Sequence, residues 1–194
     1  MHLTLFIILG ICLGVGVWQL AVWLDEIRDK NRKYKAAITY ALESNKPLLI
    51  VGGPWGNKPI RHLFKMPAHG RGDVCIDIDP RALSNHPKGV IADITHIPFS
   101  NKSFGAAFAS HILEHLPTTN DAKKALAELN RVAEAVFIAY PSRQSIGGWV
   151  IRDHHLWVWQ KGNTTYLKQR GKTEGNNEEE YTVVPANRRA SQRR

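Results

Sequence analysis

Residues 92–116 read ADITHIPFSNKSFGAAFASHILEHL. The apolar run GAAFAS at 105–110, near the middle of this stretch, predicts a buried β-strand. Four more short apolar runs, each bounded by turn residues, occur elsewhere in the chain: PLLIV at 47–51, DVCIDI at 73–78, GVIADI at 89–94 and AVFIAY at 135–140. Helical patterns lie between several of them, and strands that alternate with helices predict an α/β domain with a mainly parallel sheet.

The clearest helical pattern covers residues 121–134. Apolar side chains fall on one face of it and charged side chains on the other, and Thr119 or Asn120 is predicted to cap its N-terminus. The spacing of 14 positions from Asp79 to Asp93 leaves room for only about one helical turn between the second and third strands. Near the end of the chain, residues 156–160 and 164–168 flank a Lys-Gly-Asn turn and predict a β-hairpin.

The composition is that of a basic globular protein. The 194 residues include 26 Lys and Arg against 17 Asp and Glu, a formal net charge of +9. A hydrophobic fraction of 43% excludes disorder of the whole chain. Two cysteines, Cys12 and Cys75, are too few for a disulfide framework or a four-thiolate zinc site, and Cys75 is expected to be a small core residue.

The N-terminal segment predicts a membrane anchor. Residues 3–24, LTLFIILGICLGVGVWQLAVWL, contain no charged side chain, and as a helix they would span about 33 Å, enough to cross the hydrocarbon core. Bulky Trp23 and Leu24 stand where a cleaved signal peptide would have small residues. Lys and Arg follow the span and do not precede it, so the positive-inside rule predicts a single-pass protein whose C-terminal part is cytoplasmic.

A glycine turn and an acid suggest a nucleotide-type site. The strand at 47–51 runs into Gly52-Gly53-Pro54-Trp55-Gly56, and Asp77 lies 21 residues beyond Gly56 at the end of the second strand. Glycines let the backbone approach a ligand closely, and an acid at this spacing can hold ribose hydroxyls.

The stretch at 92–116 resembles the class I S-adenosylmethionine-dependent methyltransferases, and within them a branch that acts on small molecules. That branch has the pattern A-D-x-x-x-L-P-F-x-x-x-S-F-D, then a strand and L-E-H. The matching residues are Ala92, Asp93, Pro98, Phe99, Ser103, Phe104, Leu113, Glu114 and His115. The resemblance extends over residues 47–142. It implies a three-layer Rossmann-like methyltransferase fold with strand order 3-2-1-4-5 and a C-terminal antiparallel addition, and it implies S-adenosylmethionine as the cofactor.

The resemblance also implies roles for individual residues. Asp77 would accept hydrogen bonds from the ribose, and Asp93 from the adenine amino group, with Ile94 beside the ring. The backbone of Gly52, Gly53 and Gly56 would border the methionine half of the cofactor. Ser110 and His111 would face the reacting centre; His111 is the candidate base, with His154 or His155 as the alternative. The expected acceptor is a small molecule or a lipid-linked group at the membrane, and no metal is expected.

These observations divide the chain into four predicted parts: a transmembrane anchor at 1–24, a basic juxtamembrane helix at 25–46, a methyltransferase-like domain at 47–170 and a disordered basic tail at 171–194. The tail ends in arginines but has no recognition helix or interleaved aromatic residues, so nucleic acid is not an expected partner.

Departures from the family pattern leave a second interpretation open. Ile50 replaces an acid of the first strand, Pro54 replaces a central glycine, and Gly105 replaces an Asp. A membrane-bound binding or scaffold module that keeps the fold without catalysis is therefore the alternative function.

A third interpretation rests on the H-x-x-E-H motif at 111–115. If these residues were helical, His111 and His115 would share a face and could bind zinc, with Glu114 as the base of a metalloprotease and Glu128 or the pair His154-His155 as a further ligand. The Leu-Glu-His part is common in the methyltransferase branch, which explains the motif better.

Overall fold

The computed structural model describes residues 2–53, 72–84, 86–162, 164–171 and 179–182. Two 3-10 turns, Pro80–Leu83 and Leu113–His115, accompany the helices and strands. In chain order, the helices and strands are α1 (His2–Ser44), β1 (Leu48–Val51), β2 (Val74–Asp77), β3 (Gly89–Ile91), β4 (Phe104–Ser110), α2 (Thr119–Val132), β5 (Ala133–Ala139), α3 (Ile146–Val150), β6 (Leu156–Lys161), β7 (Thr164–Gln169) and β8 (Glu179–Thr182).

The first five strands form one parallel sheet with the order β3-β2-β1-β4-β5. At its centre, Ile50 of β1 pairs with Cys75 of β2 on one side and with Phe108 of β4 on the other. The expected strand order is therefore confirmed. The order reverses between β1 and β4, and in such sheets ligands bind at the carboxyl ends of the strands beside that point.

Side-chain alternation along the buried strands produces two cores, one on each face of the sheet. On one face, Leu49 and Val51 join the apolar side of α2, which contributes Leu126 and Leu129. On the other face, Ile50 and its neighbours pack under the C-terminal part of α1, whose buried residues there are Tyr34, Ala37, Tyr40 and Ala41. A sheet with helical layers on both faces is the three-layer arrangement that was expected.

Cys75 is fully buried in the core under α1. Burial, helped by the negative charge of Asp77, raises the pKa of its thiol to about 12. The thiolate is therefore scarce at neutral pH, and Cys75 is a core residue, as expected.

α1 is one continuous helix of 43 residues across the two predicted segments 1–24 and 25–46. Within the described residues, it is the one helix that is long and apolar enough to cross a membrane. Its first part leaves large apolar side chains exposed, among them Leu3, Phe6 and Leu13. Only the last part is covered by the sheet.

The C-terminal strands correct two expectations. The predicted hairpin is present as β6 and β7, but it belongs to a separate antiparallel sheet, β6-β7-β8, and does not extend the parallel one. The segment 171–194 was expected to be disordered, yet Glu179–Thr182 forms β8 on the open edge of β7. Tyr181 packs against the core, which gives this short strand an apolar anchor.

Local sequence features determine the link between β2 and β3 and the start of α2. The 3-10 turn Pro80–Leu83 takes the place of a full helix between β2 and β3, as the short spacing predicts. The N-cap of α2 is Thr118, whose Oγ1 accepts the N–H of Asp121 at 3.1 Å, so the predicted caps Thr119 and Asn120 are wrong by one or two residues. Thr119 and Asn120 are already helical, and only the extended residue before them has the cap geometry.

Candidate functional site

The glycine turn after β1 is bonded directly to the acid at the end of β2. The N–H of Gly53 donates to Oδ2 of Asp77 at 2.6 Å, and the N–H of Asp79 donates to Oδ1 of the same carboxylate at 2.8 Å. Because β1 and β2 are parallel neighbours, their carboxyl ends meet at one edge of the sheet. The half-buried Asp77 carboxylate is thus held in a fixed orientation at that edge.

Both glycines of this turn make close approaches. Gly52 has a φ of +94°, and a Cβ built on it would lie 2.7 Å from Cδ1 of Ile112. A Cβ on Gly53 would collide with the side chain and carbonyl of Ala82. The turn is therefore packed between the 3-10 turn after β2 and the segment after β4. Gly56, Pro54 and Trp55 lie outside the described residues.

Asp93 and Ile94 follow β3 at the same edge but have different surroundings. Asp93 is exposed, and its Oδ1 accepts the N–H of Thr95 at 2.8 Å, which orients the carboxylate. The side chain of Ile94 is buried in the core on the α2 face of the sheet. Asp93 can therefore meet a ligand directly, while the position of Ile94 beside a ring stays a prediction.

The carboxyl end of β4 presents Ser110 and His111. Oγ of Ser110 is buried and has no hydrogen-bond partner among the described residues. His111 is a non-glycine residue with a φ of +55°, a backbone conformation that costs about 1–3 kcal/mol and is typical of functional sites. Its N–H donates to the carbonyl of Ala139 at the end of β5 at 2.9 Å, so β5 holds the strained residue in place.

The residues after His111 do not form the helix that a zinc metalloprotease needs. His111 has a left-handed backbone, and Leu113–His115 is a single 3-10 turn. His111 and His115 are therefore not on one face of an α-helix, and the interpretation of H-x-x-E-H as a helical protease motif is wrong. Nδ1 of His111 lies 3.2 Å from Oε1 of Glu114, within ion-pair distance but without the geometry of a hydrogen bond.

The other candidate histidines separate in the structure. His154 is buried, and burial is the main reason why its pKa lies below the usual histidine value. Its ring packs edge-on against that of His115, with 4.8 Å between the centroids. His155 is exposed, and its N–H donates to the carbonyl of Glu114 at 2.7 Å.

A cavity of about 510 Å³ lies between α1 and the residues that follow β5. The N–H of Ser142 donates to Oε1 of Glu26 at 2.6 Å, and the guanidinium of Arg143 lies 4.9 Å from the centre of the Trp159 ring. Ser142 and Arg143 reach this cavity because they follow β5 directly in the chain. The contact between Glu26 and Ser142 could not be inferred from the sequence, because residues 116 positions apart give no local signal.

Comparison with protein families gives one match. Residues 61–135 match a family model described as "Methyltransferase domain". This part of the chain is therefore similar to methyltransferase domains. The match covers Asp77, Asp93, Ser110 and His111 but not Gly52 and Gly53, and it confirms the resemblance inferred from the sequence. No match to this chain was found among curated proteins.

Several solved structures are similar to this chain at low sequence identity. CalS10, a SAM-bound amino pentose methyltransferase from Micromonospora echinaspora, is 16% identical with a TM-score of 0.41, over 88% of this chain and 80% of that one. DesVI of Streptomyces venezuelae is 15% identical with a TM-score of 0.44, over 82% and 77%. The N-methyltransferase NodS of Bradyrhizobium japonicum WM9 is 15% identical with a TM-score of 0.38; the match covers 56% of this chain and 60% of NodS. These likenesses say nothing about the substrate.

The described residues at the carboxyl edge of the parallel sheet fit S-adenosylmethionine. Asp77 and Asp93 bring two oriented carboxylates to that edge, and Ser110 adds a buried hydroxyl without a partner among the described residues. A carboxylate oxygen has two lone pairs, so Asp77 can still accept a hydroxyl after bonding Gly53. Asp77 would hold the ribose and Asp93 the adenine amino group.

Proposed function

We propose that this chain is a membrane-anchored methyltransferase that uses S-adenosylmethionine and acts on a small-molecule or lipid-linked acceptor. The observation that carries the proposal is the 2.6 Å hydrogen bond from Gly53 N–H to Asp77, which joins the glycine turn and the acid into one cradle. The cradle stands beside the β1–β4 switch point, where α/β sheets bind ligands.

S-adenosylmethionine, when bound, supplies an activated methyl group. The task of the chain is then to hold and orient the acceptor and, where the acceptor must lose a proton, to take it up. His111 is suited to the second task because its side chain is 36% exposed and its imidazole lies beside the buried Glu114 carboxylate.

The course of α1 supports an acceptor at the membrane. Ser44, at the end of α1, lies against Gly105 at the amino end of β4, whereas Glu26 bonds Ser142 beyond the carboxyl end of β5. The helix thus runs from the carboxyl edge of the sheet to its amino edge, so the apolar residues before Glu26 leave the domain on the side of the proposed site.

The short apolar helix α3 next to α1 also supports an acceptor at the membrane. The side chain of Gln19 bonds the carbonyl of Gln144 at 3.0 Å and the N–H of Ile146 at 2.8 Å, so α3 lies beside the predicted span. Ile146, Trp149 and Val150 of this segment are exposed. Exposed apolar side chains beside a spanning helix favour contact with lipid. The Lys and Arg residues that follow the span favour a cytoplasmic domain.

A binding module without catalysis is the second candidate. It is favoured by the contacts of the glycine turn, since Ile112 and Ala82 occupy the space beside Gly52 and Gly53. In that case the glycines serve the packing of the protein itself, and no cofactor need approach them.

Calorimetric titration distinguishes the methyltransferase from the binding module without catalysis. The full-length protein in detergent is titrated with S-adenosylmethionine and with its demethylated product. Replacing the charged acceptor in Asp77→Asn should weaken binding by about 10- to 150-fold, because a hydrogen bond to a charged group contributes about 1.5–3 kcal/mol. Asp79→Asn is the matched control, because its carboxylate faces Arg81.

Unchanged affinity in Asp77→Asn would contradict the assigned site. A wild-type protein that binds neither compound at millimolar concentration would support the non-catalytic module. The melting temperature of each variant shows whether its fold is retained.

A further inference from the structure

The carboxylate of Glu114 accepts no hydrogen bond in the described part of the chain. The residue is 1% exposed, and neither Oε1 nor Oε2 accepts a hydrogen bond from a described residue. A buried carboxylate without hydrogen bonds is strongly destabilising unless a cation compensates its charge. Nδ1 of His111, 3.2 Å away, is the nearest polar group that the structure records for it.

Two imidazoles converge on this carboxylate from different parts of the chain. Glu114, His115 and His154 each have one metal-ligating atom that lies within 4.8 Å of those of the other two residues. Bonds of about 2.0–2.2 Å from nitrogen or carboxylate oxygen to a tetrahedral zinc ion place the ligand atoms about 3.3–3.6 Å apart. A closure of at most about 1.5 Å therefore brings all three within reach of one ion.

In both histidines of this cluster, Nδ1 contacts a backbone carbonyl, which leaves Nε2 free to bind a metal ion. Nδ1 of His115 lies 3.0 Å from the carbonyl of Asp153, and Nδ1 of His154 lies 3.3 Å from the carbonyl of Gly148. A carbonyl can only accept, so Nδ1 carries the proton in each neutral ring and Nε2 keeps its lone pair. A backbone carbonyl that orients the second ring nitrogen is the usual outer shell of a metal-bound histidine.

We propose that Glu114, His115 and His154 form a binding site for one Zn²⁺ ion. Two imidazoles and a carboxylate suit zinc better than Mg²⁺ or Ca²⁺, which prefer oxygen ligands. Three protein ligands leave a fourth position of the tetrahedral ion for water or a bound molecule. The site differs from the expectation that the protein holds no metal, and it does not depend on methyl transfer.

The position of the ion follows from the elements that supply its ligands. Glu114 and His115 lie in the 3-10 turn that follows β4 and His111, while His154 precedes β6. The ion would therefore lie close to the carboxyl end of β4 and would tie the parallel sheet to the antiparallel one. An ion in this position would stabilise the contact between the two sheets and would lie near His111.

The test uses the full-length protein in detergent, stripped of metal with a chelator, and titrated with Zn²⁺ and separately with Co²⁺. We expect one equivalent of Zn²⁺ to bind and raise the melting temperature, and Co²⁺ to give visible absorption bands of a four- or five-coordinate ion. Glu114→Gln, His115→Ala and His154→Ala should each weaken Zn²⁺ binding at least tenfold. His155→Ala is the matched control, because its side chain is exposed and outside the cluster.

His115 is exposed, so His115→Ala should keep the fold even if a buried substitution does not. In Glu114→Gln the metal-free protein should melt no lower than the wild type, because a buried charge is removed, but Zn²⁺ should no longer raise its melting temperature. The proposal is overturned if the wild type binds no Zn²⁺, or if Glu114→Gln and His115→Ala bind it as tightly as the wild type. Loss of binding in His155→Ala alone would also overturn it.

Discussion

Gly105 stands where the family pattern has an aspartate, and the structure supplies a reason for the difference. A Cβ on this residue would collide with Oγ of Ser44 and lie 3.0 Å from Cα of Ala41. Both belong to α1, which covers this face of the sheet. The departure therefore reflects the close packing of the N-terminal helix on β4, and it is no evidence of a degraded site.

Substitution of Gly105 by alanine should destabilise the protein by about 1–3 kcal/mol, because an added methyl group forces α1 away from β4. The measurement is the free energy of unfolding in denaturant. Gly147→Ala is the control, since the nearest atom to a Cβ there is Oγ of Ser145 at an ordinary 3.5 Å, and it should change stability by less than about 0.5 kcal/mol. Equal effects of the two substitutions would show that α1 is not packed as closely as described.

At the scale of elements, an ion pair within α2 holds the loop that follows β3 through hydrogen bonds to the loop backbone. The Glu128 carboxylate accepts the N–H of Ile97 at 2.8 Å and pairs with Arg131, whose guanidinium also donates to the carbonyls of Phe99 and Ile97. The hydrogen bond from Arg131 is the main reason why the pKa of Glu128 lies below its usual value. This network holds the loop that carries Asp93 against the helix.

Glu128→Gln should cost about 1–2 kcal/mol at pH 7, because a charged hydrogen-bond acceptor is lost. A carboxyl group with a lowered pKa stabilises the fold above its unfolded pKa of about 4.3, and this contribution is lost as the pH falls through the lowered value. The difference in unfolding free energy between wild type and variant should therefore shrink between pH 5 and about pH 3.

Asp153→Asn, at an exposed position, serves as the control and should show little cost at either pH. A cost for Glu128→Gln that stays the same in acid would mean that the carboxylate charge is not what stabilises the loop.

For the whole molecule, the proposed membrane anchor together with the direction of α1 would place the candidate site and α3 on the membrane side of the domain. This orientation requires Trp149 to meet lipid. A polarity-sensitive dye on Trp149→Cys, in a Cys12→Ala background, should shift its emission to the blue when the protein is reconstituted into phosphatidylcholine vesicles. Cys75 does not interfere, because burial raises the pKa of its thiol to about 12.

The control for this measurement is Ser100→Cys, an exposed position before β4 at the opposite edge of the sheet. Its dye should report water both in detergent and in vesicles. Identical spectra at positions 149 and 100 would contradict the proposed orientation of the domain on the membrane.

The amino-acid pattern alone was sufficient for much of the fold. Each of the five parallel strands is a short apolar run between turn residues, and such runs are local signals. Asp77 and Asp93 were placed correctly at the sheet edge because parallel strands align their carboxyl ends. The membrane-span prediction needed only the uncharged residues 3–24, since length and hydropathy are also local properties.

Tertiary structure decided what depends on residues far apart in the chain. The cluster of Glu114 and His154 joins positions 40 residues apart, and the bond of Glu26 to Ser142 crosses 116. The strand β8 formed in a segment of disordered composition because β7 offered it an open edge. His111 has a left-handed backbone, and the chain turns sharply after β4 so that Leu113 and Glu114 are buried. Burial and pairing depend on which elements the sheet brings together, and periodicity along the chain does not contain that information.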